Sequence, residues 1–257
     1  MTELLKDLIS WMIYWVGRPF RRKRPVVLVY HSVGPLPVTA DPLKLNVPPD
    51  IFEWQMAQLD RKKVRCLITF DDGYSGVYTH AFPVLQRYGL PAVLFLSTDY
   101  LDGKRLFENC FAKSHSPASL TWEQARQMAD RGVELGSHSV TLRNLAQLDD
   151  AALLAEVRGS RERIQQVTGH RVEAFSYPYG NAGSFTPVTE KAIREAGYTR
   201  AYVNQMGADN SSQEPFRIRR IRVYPTDTGP RFRRKVAGAY NWVDTLLALR
   251  WRLTCIP

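Results

Sequence analysis

The chain has 257 residues, 44% of them hydrophobic, with 35 Lys and Arg against 25 Asp and Glu, for a formal charge of +10 and a pI near 9.6. That length suits one large domain with ample apolar material for a core, and no internal repeat or low-complexity segment interrupts it. Cys66, Cys110 and Cys255 are odd in number and lack a C-x-x-C spacing, which reads as reduced thiols and favours the cytosol over an oxidising compartment.

In residues 1–24, Leu4, Leu5, Leu8, Ile9, Met12, Trp15 and Val16 recur at helical spacing. Glu3, Lys6 and Asp7 make this segment too short and too charged to span a bilayer, and a secretory signal's basic start and cleavage site are missing. The apolar stretch runs into Arg18, Arg21, Arg22, Lys23 and Arg24, which fits a helix lying on an anionic membrane surface. The competing reading is a helix packed on the domain's own exterior, or an oligomer contact. A second basic cluster runs from Arg217, Arg219, Arg220 and Arg222 to Arg231, Arg233, Arg234 and Lys235. No stacking-aromatic motif or recognition helix accompanies either cluster, so nucleic acid is not the expected partner.

The domain proper is expected over residues 25–257. Val26 to Tyr30 predicts a strand ending at His31, and the Pro-rich stretch from Pro35 to Pro49 a long loop. A helix capped by Asp50 is expected to about Leu59. Leu67 to Phe70 predicts a buried strand that breaks at Asp71-Asp72-Gly73. Val77 to Tyr88 reads as a helix closed by Gly89, followed by a strand over Ala92 to Leu96. Leu101 to Leu120 has no clear period and is the candidate loop over the mouth.

Thr121 and Gln124 spell a capping box, and Val133 to Ser137 predicts a strand ending at His138. A helix over Asp149 to Val167 closes at Gly169, and Ala174 to Tyr177 is a strand leading into the turn Pro178-Tyr179-Gly180. Thr186-Pro187 caps a helix ending at Gly197; short strands are expected near Arg200 to Val203 and Ile218 to Val223, and an apolar end over Trp242 to Leu253. Strands alternating with helices indicate a parallel sheet, and a run this long suggests an irregular or incomplete (β/α) barrel. His31, Asp71, Asp72, His138 and the Tyr177 to Gly180 turn all follow strands, so in a barrel they share one rim. Tyr74 and Trp122 are aromatic candidates for stacking on a ligand's ring, or simple packing.

The set TFDDG (Thr69 to Gly73), GSHS (Gly136 to Ser139) and FSYPYG (Phe175 to Gly180), in this order, resembles the NodB-type polysaccharide deacetylases, carbohydrate esterase family 4. The likeness covers roughly Pro25 to Val223 and includes the VYHSVG opening found in a branch of these proteins. It implies a metal-dependent amidohydrolase removing acetyl from N-acetylated amino sugars, in a glycan or on a lipid carrier. By position, Asp71 matches the general base, Asp72 and His138 match ligands of a divalent metal such as Zn2+, and Tyr177, Pro178, Tyr179 and Gly180 match the turn lining the substrate groove. The Tyr179 N–H would help hold the oxyanion.

The chemistry is sensible in itself. An amide is a poor electrophile, so a Lewis acid must polarise it, while a carboxylate outside the coordination sphere takes a proton from water. The family's second motif carries two histidines four residues apart, and here Leu142 stands in the second place. Three accounts follow: His31 completes the site, a two-ligand site holds metal loosely, or the chain has lost catalysis and binds glycan as a scaffold. His31 has a second candidate role, as proton donor to the departing amine. The expectation is a cytoplasmic enzyme, peripheral at the membrane, with Asp71 and His31 catalytic.

Overall fold

A computed structural model of the protein describes residues 3–16, 25–107, 110–112, 115–207 and 214–243. In chain order the main elements are α1 (Glu3–Val16), β1 (Val26–Tyr30), β2 (Ser32–Val33), β3 (Asn46–Val47), α2 (Pro49–Arg61), β4 (Cys66–Phe70), α3 (Phe82–Tyr88), β5 (Ala92–Leu96) and α4 (Thr98–Leu101). They continue as α5 (Trp122–Asp130), β6 (Glu134–Ser137), α6 (Asp150–Thr168), β7 (Ala174–Ser176), α7 (Pro187–Glu195), β8 (Arg200–Tyr202), β9 (Ile221–Arg222) and α8 (Gly229–Val236).

Seven strands form one parallel sheet in the order β8-β7-β6-β5-β4-β1-β9. Side chains alternate across it. Val27, Val93, Phe95, Ala174 and Tyr202 pack together with Leu67 and Ile218 on the inner face, while Leu28, Ile68, Leu94 and Phe175 join the core beneath the helices. Ile218 bridges to Tyr202 of β8, and a few residues later Ile221 and Arg222 pair with Leu28 and Val29 of β1. One short run of chain therefore touches both edges of a curled sheet. The result is the irregular (β/α) barrel that the strand and helix alternation predicts.

Local signals place most boundaries. Thr121 accepts from the Gln124 N–H at the start of α5, Thr186 does the same with Thr189 at α7, and Gly89 closes α3 at φ 60°. Asp50 is not the cap of α2. The helix begins at Pro49, whose missing N–H costs nothing there, and Asp50 lies in the first turn with its charge toward the positive end of the dipole. Residues 77–81 form a widened π turn before α3 rather than a uniform helix. The long loop after β1 contains the small β2–β3 pair, and the basic run after Gly229 folds as α8, with Phe232 and Lys235 buried.

The N-terminal helix is docked and exposed at once. The Asp7 carboxylate accepts from the Tyr240 hydroxyl and pairs with Arg231 and Arg234 at 3.5 and 3.7 Å, and Trp242 Nε1 donates to Ser10 Oγ at 3.2 Å. Leu4, Leu8, Trp11, Met12 and Trp15 face outward. Among the described residues no helix is long and apolar enough to cross a membrane. The expected apolar segment from Trp242 to Leu253 lies mostly outside the described residues.

Candidate active site

At the end of β4 the Asp71 N–H donates to the Tyr30 carbonyl at 3.0 Å, extending the ladder by one residue. The chain then turns through two left-handed residues, Asp72 at φ 76° and Gly73 at φ 94°. At Gly73 a Cβ would stand 3.0 Å from Leu101 Cδ1. Both carboxylates are thereby delivered to the C-terminal mouth of the sheet.

His138 arrives from β6 in the same way, its N–H donating to the Leu96 carbonyl at 2.9 Å. Its Nδ1 lies 2.7 Å from the Ser176 carbonyl, which can only accept, so Nδ1 carries the proton. Nε2 is left facing Asp72 Oδ1 at 3.5 Å and Asp71 Oδ2 at 3.9 Å. The Nε2 lone pair and the Asp72 carboxylate face each other there, a pair of donors of the kind that attracts a cation, with the Asp71 carboxylate just beyond.

Asp71 has a partner from the basic cluster around β9. Arg220, fully buried, holds it with both ends of the guanidinium: Nη1 to Oδ1 and Nη2 to Oδ2, each at 2.7 Å. The same guanidinium donates to Ser176 Oγ at 2.9 Å, Thr69 Oγ1 at 3.3 Å and the Val203 carbonyl at 3.2 Å. Burial pushes the Asp71 pKa up, but Arg220, His138 and His31 together outweigh it and bring the carboxyl down to about 2. Asp71 is therefore ionised and fixed in orientation. The usable signal was parity: Arg220 lies two residues from Ile218, which faces the barrel interior.

Leu142 occupies a left-handed position, φ 59°, in a loop pinned by buried Glu156. The Glu156 carboxylate accepts from the Val140 and Thr141 N–H groups at 2.9 Å each and from the Thr141 hydroxyl. The leucine packs against the cluster of Tyr74, Phe107 and Phe111, beside Tyr100 and Cys110. Among the described residues no three His, Cys, Asp or Glu side chains converge as a metal site. His31 is half-buried and lines the same cavity without completing such a set. Asp72 and His138 suit a divalent cation as a pair, with apolar surface on the Leu142 side.

The Tyr177 to Gly180 turn forms another wall. Tyr177 is buried, stacked on Phe185 at 4.3 Å, with its hydroxyl donating to the Phe216 carbonyl at 3.1 Å. Tyr179 is left-handed and 61% exposed, so its ring is open to a ligand. Gly180 is required: a Cβ there would lie 2.4 Å from the Asn204 nitrogen, whose N–H donates to the Gly180 carbonyl at 2.9 Å. A cavity of about 820 Å³ joins His31, Asp71, Asp72, His138, Pro178 and Tyr179.

Neither aromatic sugar candidate is free to stack. Tyr74 is fully buried under Phe107 and Phe111, and the Trp122 indole N–H donates to Asp102 at 2.9 Å beneath Arg163.

Comparison with known proteins agrees with this architecture. YxkH of Bacillus subtilis, a protein named for polysaccharide deacetylation, is 29% identical over 247 residues, covering 88% of this chain and 78% of its own. A poly-β-1,6-N-acetyl-D-glucosamine N-deacetylase of Escherichia coli is 28% identical over 177 residues, covering 57% of this chain but only 26% of the relative. The Streptococcus pyogenes deacetylase PplD, solved with acetate, superposes with a TM-score of 0.68 at 19% identity, covering 86% of this chain and 97% of that one, a likeness of fold. The family model described as polysaccharide deacetylase matches residues 58–201, more than half of the sequence, and the chain belongs to that family.

Proposed function

We propose that the protein is a hydrolase that removes an N-acetyl or other N-acyl group from an amino sugar of a glycan or a lipid-linked saccharide. The observation that carries this reading is the meeting of Asp71, Asp72 and His138 at one cavity mouth, with Asp71 clamped by Arg220. A divalent cation such as Zn2+, held by Asp72 and His138, would supply Lewis acidity toward the amide carbonyl. Asp71, ionised and outside that pair, takes a proton from the attacking water; its depressed pKa makes it a weak base, compensated by fixed orientation. The Tyr179 N–H faces the carbonyl oxygen as it gains charge, and His31 protonates the nitrogen as the C–N bond breaks. The E. coli relative is named for N-deacetylation of poly-β-1,6-N-acetyl-D-glucosamine, which supports the same bond class here.

In this reading residues 1–24 anchor the enzyme to the cytoplasmic face of a membrane, supported by the outward Leu4, Leu8, Trp11, Met12 and Trp15. Leu142 favours a second reading, a catalytically impaired glycan-binding subunit of an assembly complex. Metal content of the purified protein, combined with amine release from N-acetylglucosamine oligomers and lipid-linked sugars, separates the two. Amine release that depends on added Zn2+, Co2+ or Ni2+ and is lost in Asp71→Asn supports the hydrolase. Inertness under all three metals, relieved by Leu142→His, supports the subunit.

A further inference from the structure

Helix α1 sits on the domain in the reverse sense of a helix that only completes a soluble core. Its inward stripe is polar: Ser10 is fully buried and accepts from Trp242 Nε1 at 3.2 Å, while Asp7 accepts from the Tyr240 hydroxyl and pairs with Arg231 and Arg234. Its outward stripe is apolar, with Leu4, Leu8, Trp11 and Trp15 exposed by 83%, 56%, 49% and 50%. These four recur at helical spacing, so they form one continuous ridge.

The seat beneath α1 is joined to the wall of the candidate active site. Arg231 Nε stands between two carboxylates, 3.5 Å from Asp7 Oδ1 and 3.3 Å from Asp227 Oδ1. Asp227 is fully buried, and its other oxygen accepts from the Tyr224 N–H at 2.8 Å and from Lys235 Nζ at 2.5 Å. Lys235 also donates to the Arg222 carbonyl at 3.1 Å, and residues 222–224 line the cavity that holds Asp71, Asp72 and His138. Asp7 is thus two side chains, Arg231 and Asp227, from the cavity wall. A buried carboxylate held by backbone and by two cations is fixed in place, so ridge and cavity keep one relation to each other.

We propose that the saccharide taken by this site is carried on a lipid, and that α1 lies in the same bilayer, setting the cavity wall beside the sugar where it leaves the membrane. The N-acyl sugar rests on the hydrolase reading above, and the bilayer on the anchoring of residues 1–24. Tryptophans on the ridge suit the boundary between headgroups and tails, and the sequence adds Arg18, Arg21, Arg22, Lys23 and Arg24 directly after the helix. That charge attracts anionic headgroups and repels a second copy of the same ridge. A flexible tether would only raise the local concentration of substrate, whereas a seated helix also fixes its approach. A polymer free in solution gains from neither.

Co-sedimentation of the full chain with vesicles of phosphatidylcholine and phosphatidylglycerol tests this, with Zn2+ added throughout. The vesicles bear either polyprenyl phosphate or N-acetylglucosamine joined through phosphate to the same polyprenyl chain, so that they differ in the sugar. The sugar-bearing vesicles should hold the protein about tenfold more tightly. Asp7→Ala with Ser10→Ala leaves the ridge intact but unseats it, so this variant should adsorb to sugar-free vesicles like the parent and lose most of the preference for sugar; Asp7→Glu should keep it. Equal retention on both vesicles, or an undiminished preference in the unseated variant, overturns the proposal. So does a dimer in sedimentation velocity that Leu8→Glu with Trp11→Glu dissociates, if the parent chain ignores vesicles, because the ridge then faces a second copy. Amine release is read separately, from the vesicles and from the soluble N-acetylglucosamine disaccharide. Sugar-selective retention with no release from either sinks the hydrolase reading and leaves the lipid-borne ligand standing, whereas release from the disaccharide without any preference among vesicles does the opposite.

Discussion

Asp71 and Arg220, 149 residues apart in sequence, meet as a bidentate pair with both contacts at 2.7 Å and the guanidinium fully buried. Burying two charges is costly, and breaking such a pair by removing one member costs more than replacing both. Arg220→Met should therefore lose about 3–5 kcal/mol of folding stability by leaving Asp71 buried alone. The Asp71→Asn, Arg220→Met double variant should regain part of that loss. Denaturant titration of the four proteins in the cycle reads the difference, and an Arg220→Met midpoint equal to the parent's would refute the clamp.

Acid should loosen the fold through the same pair. A carboxyl whose folded pKa is depressed to about 2 stabilises the protein above its unfolded value near 4, and that contribution disappears as pH falls from about 4 to about 2. It amounts to about 2 kcal/mol. Melting curves across that window should fall less steeply for Asp71→Asn than for the parent protein.

On the proposed reading, in which Asp72 and His138 hold the cation, Leu142→His should raise affinity for Zn2+ by roughly tenfold or more by offering a third donor. Histidine tolerates the left-handed backbone at this position better than leucine does. The substitution removes packing from the Tyr74, Phe107 and Phe111 cluster, costing about 1–2 kcal/mol. Competition against a chelator of known affinity measures the gain, and an unchanged constant would show that residue 142 does not reach the cation.

Gly180→Ala should be far more damaging than its size suggests. The new methyl meets backbone nitrogen, which cannot swing aside, at a left-handed position. The turn must open, at a cost of about 1–3 kcal/mol, and Tyr179 moves with it. A lower melting temperature accompanied by weaker saccharide binding is the expected pair of results.

Leu8→Glu and Trp11→Glu replace outward side chains of α1, so the fold should persist while adsorption to anionic vesicles falls. Co-sedimentation with phosphatidylglycerol-containing and neutral vesicles reads this. Unchanged sedimentation of the double variant would remove the membrane role.

The parts of the fold legible in sequence were those specified within a few residues of themselves. The runs at Val26 to Tyr30 and Ala92 to Leu96, the capping box at Thr121, the Thr186-Pro187 cap, and the breaks after Phe70 and Ser137 all carry local signals. Asp50 misled because a good capping residue followed a proline that had already opened the helix. Arg220 was hidden among neighbouring arginines: its parity with Ile218 marks the face it takes, but nothing nearby names a partner 149 residues away. Tyr74 and Trp122 read in sequence as sugar platforms or as simple packing; tertiary structure buries Tyr74 and leaves Trp122 half-buried with its indole bonded to Asp102.

The run from Ile218 to Arg222 touches both edges of the sheet and also carries Arg220. During synthesis it emerges after every other strand of the sheet has left the ribosome. Until it docks, Asp71 must either stay hydrated or take up a proton, so the interior around it stays wet and unfinished. Completion of the ring and arrival of the counter-ion are then a single event, and a half-made barrel leaves Asp71 without its clamp.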